Sequence, residues 1–332
     1  MAISSPSNKK EKRWKGFDIK NHKALILGSV GFLAFSAIVL AVLGPAVEFP
    51  IKIGRTISEG IDDSIGWATT SGAWFLDPTS DGVLRFLLLI KDFFEWLPWP
   101  IFIVATVIGS YKTAGRGIAI FAVVSLTMMG SLGLWVSAME TMALIVVAVI
   151  LSISIAVPIG ILAARSNLLD TILRPILDGM QTMPSFVYLV PAVMFFGIGD
   201  VPAIFATIIY AVPPAIRLTN LGIRQVSSEI VEAAMSFGTT PRQLLLKVQI
   251  PMAVPTIMAG INQTIMMALA MVVIASLVGA GGLGEDVNRA LNRFQPGEAL
   301  LSGLGIVFLA IIIDRVTQAA ANERQKALMG ER

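Results

Sequence analysis

The sequence predicts an all-α, polytopic membrane protein with about eight transmembrane helices and both termini in the cytoplasm. Three observations predict it. The 332-residue chain is 55% hydrophobic and 14% charged, with a mean hydropathy of +0.78, whereas soluble proteins carry about a quarter charged residues. Its apolar residues gather into eight runs, roughly 24–43, 98–110, 118–138, 141–164, 180–199, 201–216, 254–280 and 299–313, and none of these contains Asp, Glu, Lys, Arg or His. The basic residues fall unevenly around the runs. With the N-terminus inside and sides alternating, the inside segments hold 19 Lys and Arg and the outside segments six, the bias expected of cytoplasmic loops.

A span needs about 20 residues at 1.5 Å rise each, with shorter runs borrowing from their flanks. Residues 1–23 form a basic cytoplasmic tail, polar enough to be disordered. The apolar run that follows it is longer than the roughly 7–15 residues of a signal peptide's core, so it reads as a retained anchor. Residues 24–139 hold the accessory transmembrane helices. Within them, 44–97 is an external segment with eight acidic and four basic residues. Its end, "DGVLRFLLLIKDFFEWLPWP", reads as an amphipathic helix at the membrane interface, with Trp96 and Trp99 in the aromatic belt. It serves either as a scaffold on the bilayer or as a docking surface for an external partner. The remaining runs are interrupted on the inside at 217–253, and 319–332 is a cytoplasmic C-terminal tail.

The interruption at 232–251 reads "EAAMSFGTTPRQLLLKVQIP". Ser228 is placed to cap a short helix, with Glu229 and Glu232 in its first turns, where the helix dipole favours acids. Ile230, Ala233, Ala234 and Phe237 fall at i, i+3, i+4 and i+7, making one apolar stripe. Gly238 is placed to end the helix in a left-handed turn. Thr240, Pro241 and Gln243 then supply a cap, a proline at the first helical position and a capping-box partner, so a second helix begins and stops at Pro251. The stripe fits insertion into a groove on another protein, or rest on lipid.

Those residues resemble the Glu-Ala-Ala loop of binding-protein-dependent ATP-binding-cassette (ABC) importer permeases. Glu232, Ala233, Ala234, Gly238, Val248, Ile250 and Pro251 stand at matching positions. The stretches 177–202, 212–226 and 258–284 are similar to permeases of the proline/glycine betaine/choline branch. The resemblance implies the transmembrane domain of a type I ABC importer, with its core over about 140–318, in a bacterial inner (cytoplasmic) membrane. It implies that Glu232, Ala233, Ala234, Phe237, Gly238, Pro241 and Pro251 form a coupling element that docks in a cleft of an ATPase subunit. It also implies two copies of that ATPase, a periplasmic or lipid-anchored substrate-binding protein and a second copy of the permease. The cargo would be a betaine-type or quaternary ammonium solute: glycine betaine, proline betaine, choline, carnitine or trimethylamine oxide.

Residues the chain lacks narrow its chemistry. The dipeptide Gly-Lys does not occur, so no P-loop is present; ATP and Mg belong to the partner, and no cofactor or metal is expected on this chain. It has no cysteine and one histidine, His22, in the basic tail, which excludes thiolate or histidine metal clusters. "GAGGLG" at 279–284 follows an apolar run rather than a strand, so Gly279, Gly281, Gly282 and Gly284 read as a compact turn, which the resemblance places at the external gate. An ion-coupled secondary transporter of a small zwitterion is the rival class. Proton-coupled members commonly carry Asp, Glu or His inside the bilayer, and here Glu140, Asp200 and Asp314 sit only at run ends. Pro158, Pro184, Pro191, Pro213 and Pro214 mark bending points. Phe186, Tyr188, Phe195 and Phe196, with Asn262, Gln263 and Met266, offer either core packing or a path whose aromatic faces attract a quaternary ammonium.

Overall fold

The computed structural model describes residues 23–43 and 53–329. His22, nearly all of the basic tail, residues 44–52 of the external segment and the last residues of the C-terminal tail lie outside the described residues. Contacts divide the chain into residues 1–62 and 63–332. Among the described residues there is no strand. The first unit holds α1 (Lys23–Leu43) and the start of α2 (Gly54–Trp96).

The second unit continues α2 and adds α3 (Trp99–Ala114), α4 (Arg116–Ser131), α5 (Trp135–Arg165), α6 (Asn167–Thr182), α7 (Leu189–Phe196), α8 (Asp200–Arg224), α9 (Ser228–Ser236), α10 (Pro241–Leu244), α11 (Ile250–Ala275), α12 (Leu283–Asn292) and α13 (Pro296–Met329). Four stretches are long and apolar enough to cross a membrane by themselves: α5, α8, residues 241–278 and α13 up to Ala319. They become six if the bent pairs α2–α3 and α6–α7 each make one span, and α1 and α4 are shorter apolar helices.

Two runs divide differently from the expectation. Residues 118–138 do not form one helix: α4 stops at Ser131, and Gly133, with φ 77°, turns the chain into α5. Residues 180–199 are broken as well. The proline ring of Pro184 forces Met183 into an extended conformation (φ −71°, ψ 138°) because an α-helical residue would clash with it. A 3₁₀ turn over Ser185–Tyr188 follows, and the bend from α6 reaches 112°. The external helix is longer than the amphipathic stretch predicts. α2 runs for 43 residues, and only its C-terminal part buries side chains, Val83 and Leu87. Phe86, Ile90 and Phe94 pack beside them on the α5–α8 core.

α8 is the most buried of the four long spans, packed between α5 and α11. Small residues allow that closeness, since van der Waals fit rather than the hydrophobic effect drives helix association in lipid. At Gly160 of α5 a Cβ would stand 2.6 Å from Thr219 Cβ and 2.9 Å from the Ile216 carbonyl oxygen. At Gly260 of α11 one would stand 3.1 Å from Ala215 Cα. Pro213 and Pro214 lie inside α8, where they remove two backbone donors. Beside them Thr264 of α11 donates its hydroxyl to the Ala211 carbonyl at 2.8 Å, which ties the weakened stretch to its neighbour.

Candidate functional site

The interruption at 217–253 holds the end of α8, then α9, a tight turn, α10, a wider turn and the start of α11. Ser227, not Ser228, caps α9, its hydroxyl accepting the Ile230 N–H at 3.4 Å. Adjacent serines can both cap, and the one in the extended conformation (φ −57°, ψ 140°) takes the role. Gly238 turns left-handed at φ 77°, and its N–H donates to Met235 O at 2.9 Å. Thr240 and Gln243 form the reciprocal box: Thr240 N–H donates to Gln243 Oε1 at 2.9 Å and Gln243 N–H to Thr240 Oγ1 at 3.3 Å. Pro241 holds the first position of α10.

Pro251 is not a stop. A wider turn over Leu245–Gln249, in which Ile250 N–H reaches back to Leu245 O, precedes it, and the helical course runs unbroken into α11. A proline in a regular helix orphans the carbonyl four residues back; the change of register just ahead of Pro251 absorbs that defect.

α9 buries no residue. Val231 and Ala234 turn partly inward, while Ile230, Ala233, Met235, Glu229 and Glu232 are exposed. Phe237 is 90% exposed. An apolar, aromatic-tipped stripe therefore stands open on a helix capped by Ser227 at its start and turned off by Gly238 at its end. Behind it lies a cleft of about 550 Å³ lined by Arg165, Arg224, Val231, Leu244 and Leu245, among others.

Arg224, at the end of α8 where the loop begins, ties that end to α5 and α6. Its guanidinium donates to Asn220 Oδ1, Asn167 Oδ1 and the Ala163 carbonyl, each at 2.8 Å. The buried Asp170 accepts from Arg174 at 2.6 Å and from Asn220 at 2.7 Å, and Arg217 pairs with Asp178. The reading of the sequence missed this belt. Its signal was present: Asp170 and Arg174 are four apart, and Arg217, Asn220 and Arg224 lie at i, i+3 and i+7 on one face.

The seven aromatic and polar residues named as a possible path are not all in one place. Tyr188 is buried, donates its hydroxyl to Met180 O and packs against Tyr210. Phe196 stacks on Phe205 with centroids 4.0 Å apart. Phe195 is half-buried. Asn262 points toward α13, donating to Asp314 Oδ1 at 3.4 Å and accepting from Thr317 at 3.0 Å. Phe186, Gln263 and Met266 are exposed.

The glycines at 279–284 make a turn stitched to α5 and α8. Gly279 and Gly282 both take φ 87°. Leu283 N–H donates to Thr141 Oγ1 at 2.8 Å, Gly281 N–H to Asp200 Oδ1 at 3.0 Å, and Gly199 N–H to Val278 O at 2.8 Å. A Cβ at Gly282 would stand 2.5 Å from Thr141 Oγ1, and one at Gly284 2.5 Å from Val272 O. The turn thus meets the start of α8 at Asp200 and the early part of α5 at Thr141.

The bundle thus combines proline-bearing spans with an inter-span helix that buries none of its residues. Residues 156–321 match the family described as binding-protein-dependent transport system inner membrane component, and the chain belongs to that family. It is a permease subunit with the transmembrane fold of a type I ABC importer. The glycine betaine/proline betaine transport system permease protein ProW of Escherichia coli (strain K12) is 46% identical over 286 residues, which cover 85% of this chain and 78% of that protein. The glycine betaine/carnitine transport permease protein GbuB of Listeria monocytogenes serotype 1/2a (strain 10403S) is 51% identical over 69% of this chain and 84% of its own length. The glycine betaine transport system permease protein OpuAB of Bacillus subtilis (strain 168) is 43% identical over 79% and 93%. Among solved structures, an inward-facing form of the MetNI methionine ABC transporter matches with a TM-score of 0.50 at 23% identity, covering 59% of this chain and 95% of that one; this likeness bears on the fold alone.

Proposed function

We propose that this chain is the route by which an ATP-driven importer carries a betaine-type or quaternary ammonium solute into the cell, with glycine betaine the first solute to try. The observation that carries the coupling half of this reading is α9, which buries none of its residues and is followed by Phe237, 90% exposed. Two ATPase subunits holding ATP and Mg, one for each α9 of a permease pair, close on nucleotide and draw the α9 helices together. The whole complex is then an ATP-hydrolysing translocase, although the hydrolytic site lies on the partner. Pro158, Pro213 and Pro214 give α5 and α8 the compliance to rock. A binding protein on the outer side delivers the solute, and the termini lie in the cytoplasm.

The solute class is supported by the names of the relatives and by the lining chemistry. The exposed Phe186, Gln263 and Met266 are uncharged, so a zwitterion or a quaternary cation meets polarizable faces without a fixed counter-ion to hold it. A second copy of the permease completes the path.

The test is uptake of labelled glycine betaine into proteoliposomes that contain the permease, its ATPase and the binding protein. ATP-dependent accumulation that requires the binding protein supports the reading. Accumulation by the chain alone on a sodium or proton gradient, without ATP, overturns it in favour of a secondary carrier.

A further inference from the structure

At the end of the bundle that carries the glycine turn, the accessory helix α2 reaches into the core. Lys91 Nζ lies 3.1 Å from Glu140 Oε1 and 3.7 Å from Asp200 Oδ2, and its side chain is only 18% exposed. Glu140 sits near the start of α5, and Asp200 is the first residue of α8. Each carboxylate presents its other oxygen to the same glycine. Asp200 Oδ1 accepts the Gly281 N–H at 3.0 Å, and Glu140 Oε2 lies 3.2 Å from where a Cβ on Gly281 would be. Among the described residues no other cation comes within 4.0 Å of either acid. One ammonium therefore holds two acids that face each other across the turn.

Lys91 and Glu140 lie outside the family-matched stretch 156–321, whereas Asp200 and Gly281 lie within it. The anchoring of α2 is specific to that place: Val83 and Leu87 are buried, about two turns and one turn before Lys91, with Ile90 and Phe94 flanking it on the core. A helix that only rested on lipid would have no reason to bury an ammonium against two carboxylates, because a desolvated charge is costly unless it is paired.

We propose that Lys91 is a positioning residue for translocation, a clamp through which α2 keeps the 279–284 turn and the α5 and α8 ends registered as one block until loaded binding protein arrives. This rests on the importer reading above. Without the ammonium, Glu140 and Asp200 repel across Gly281, the hydrogen bond from Gly281 is strained, and the outer end no longer waits for its ligand. The accessory helix is then part of the gate, not a float.

The experiment uses the reconstituted complex and reads ATP hydrolysis with and without loaded binding protein, together with solute moved per ATP. Lys91→Met is expected to raise hydrolysis in the absence of binding protein several-fold and to cut solute moved per ATP at least tenfold. Lys91→Arg keeps both near wild type. The triple variant Lys91→Met/Glu140→Gln/Asp200→Asn, which removes the repulsion together with the clamp, recovers coupling relative to Lys91→Met alone, a rescue that a mere packing role for Lys91 would not give. Coupling by Lys91→Met equal to wild type overturns the clamp, as does a triple variant no better than the single one. If Lys91→Met fails to assemble, the pair Glu140→Gln/Asp200→Asn decides: with Glu95 left as the ammonium's acidic neighbour on its own helix, nothing charged ties α2 to the α5 and α8 ends, so coupling must fall, and wild-type coupling overturns the proposal. A wild-type complex whose hydrolysis ignores the binding protein would instead count against the importer reading itself.

Discussion

Gly282→Ala is the substitution whose consequence can be worked most closely from the geometry. Gly282 has φ 87° and ψ −160°, a region essentially reserved for glycine that costs any other residue about 1–3 kcal/mol. The new methyl would stand 2.5 Å from Thr141 Oγ1 and 3.0 Å from both Ser137 O and Thr141 N. Two of those three atoms are backbone, so α5 or the turn must move, at about 1–3 kcal/mol for overpacking. Moving Thr141 also releases the Leu283 N–H, which it accepts at 2.8 Å in a fully buried place, and an orphaned buried donor costs about 1–3 kcal/mol. The lower ends of the three effects together give at least about 3 kcal/mol. At about 2 °C per kcal/mol for a chain of this size, the unfolding midpoint falls by roughly 6 °C or more. The assay is thermal unfolding of the purified permease in detergent, with Gly109→Ala as control, since that glycine lies inside α3 with nothing within 4 Å of its Cβ direction. Gly109→Ala should hold or gain stability, because alanine is the better helix former by about 0.5–1 kcal/mol. If Gly282→Ala melts with the wild type, the turn does not have the strained, close-packed form described, and the reasoning fails.

Other expectations follow from the same contacts. Gly160→Val places branched carbons where Thr219 Cβ would already be 2.6 Å from a methyl; the α5–α8 crossing should open, and the variant should be recovered from membranes at a small fraction of the wild-type yield. Thr264→Val keeps the shape but removes the donor to the Ala211 carbonyl; a loss of about 0.5–1 kcal/mol should appear as a lower denaturation midpoint at unchanged yield. Thr240→Ala removes half of the capping box and about 1 kcal/mol of helix stability, so the loop between α9 and α10 should exchange amide hydrogens faster while the spans keep their protection.

Much of this architecture was legible in the sequence because bilayer geometry leaves few options. Seven of the eight apolar runs fall on a helix or a broken helix; 118–138 instead straddles α4 and the start of α5. The left-handed Gly238 and the Thr240–Gln243 box were readable because caps and turns are decided by residues only three or four positions apart. The departures have local causes. Pro184 breaks a span rather than bending it, since its effect falls on Met183 as well as on itself. Pro251 is tolerated because the helix changes its hydrogen-bonding register one turn earlier, which no residue type announces. What could not be read is what tertiary packing brings together. Gly281 meets Asp200 across 81 positions and Leu283 meets Thr141 across 142, and Lys91 looked like one more charge on an amphipathic face. The path residues divided for the same reason. Aromatic type does not tell Phe186, which is exposed, from Phe196, which stacks against Phe205.

The central claim is that α9 is the handle by which a separate ATPase moves the bundle, and Phe237→Ala tests it most directly. An exposed aromatic anchor filling a partner's pocket is worth about 2 kcal/mol or more at such interfaces, roughly a thirtyfold change in affinity. Phe237 touches little of its own chain, so the variant permease should fold, insert and melt as the wild type does. Titrating the purified ATPase against permease in nanodiscs, and measuring hydrolysis stimulated by loaded binding protein, should then show association weakened by about that factor, with stimulation lost at limiting ATPase. Wild-type association and full stimulation by Phe237→Ala would contradict the account, and α9 would have to be read as a helix that rests on lipid.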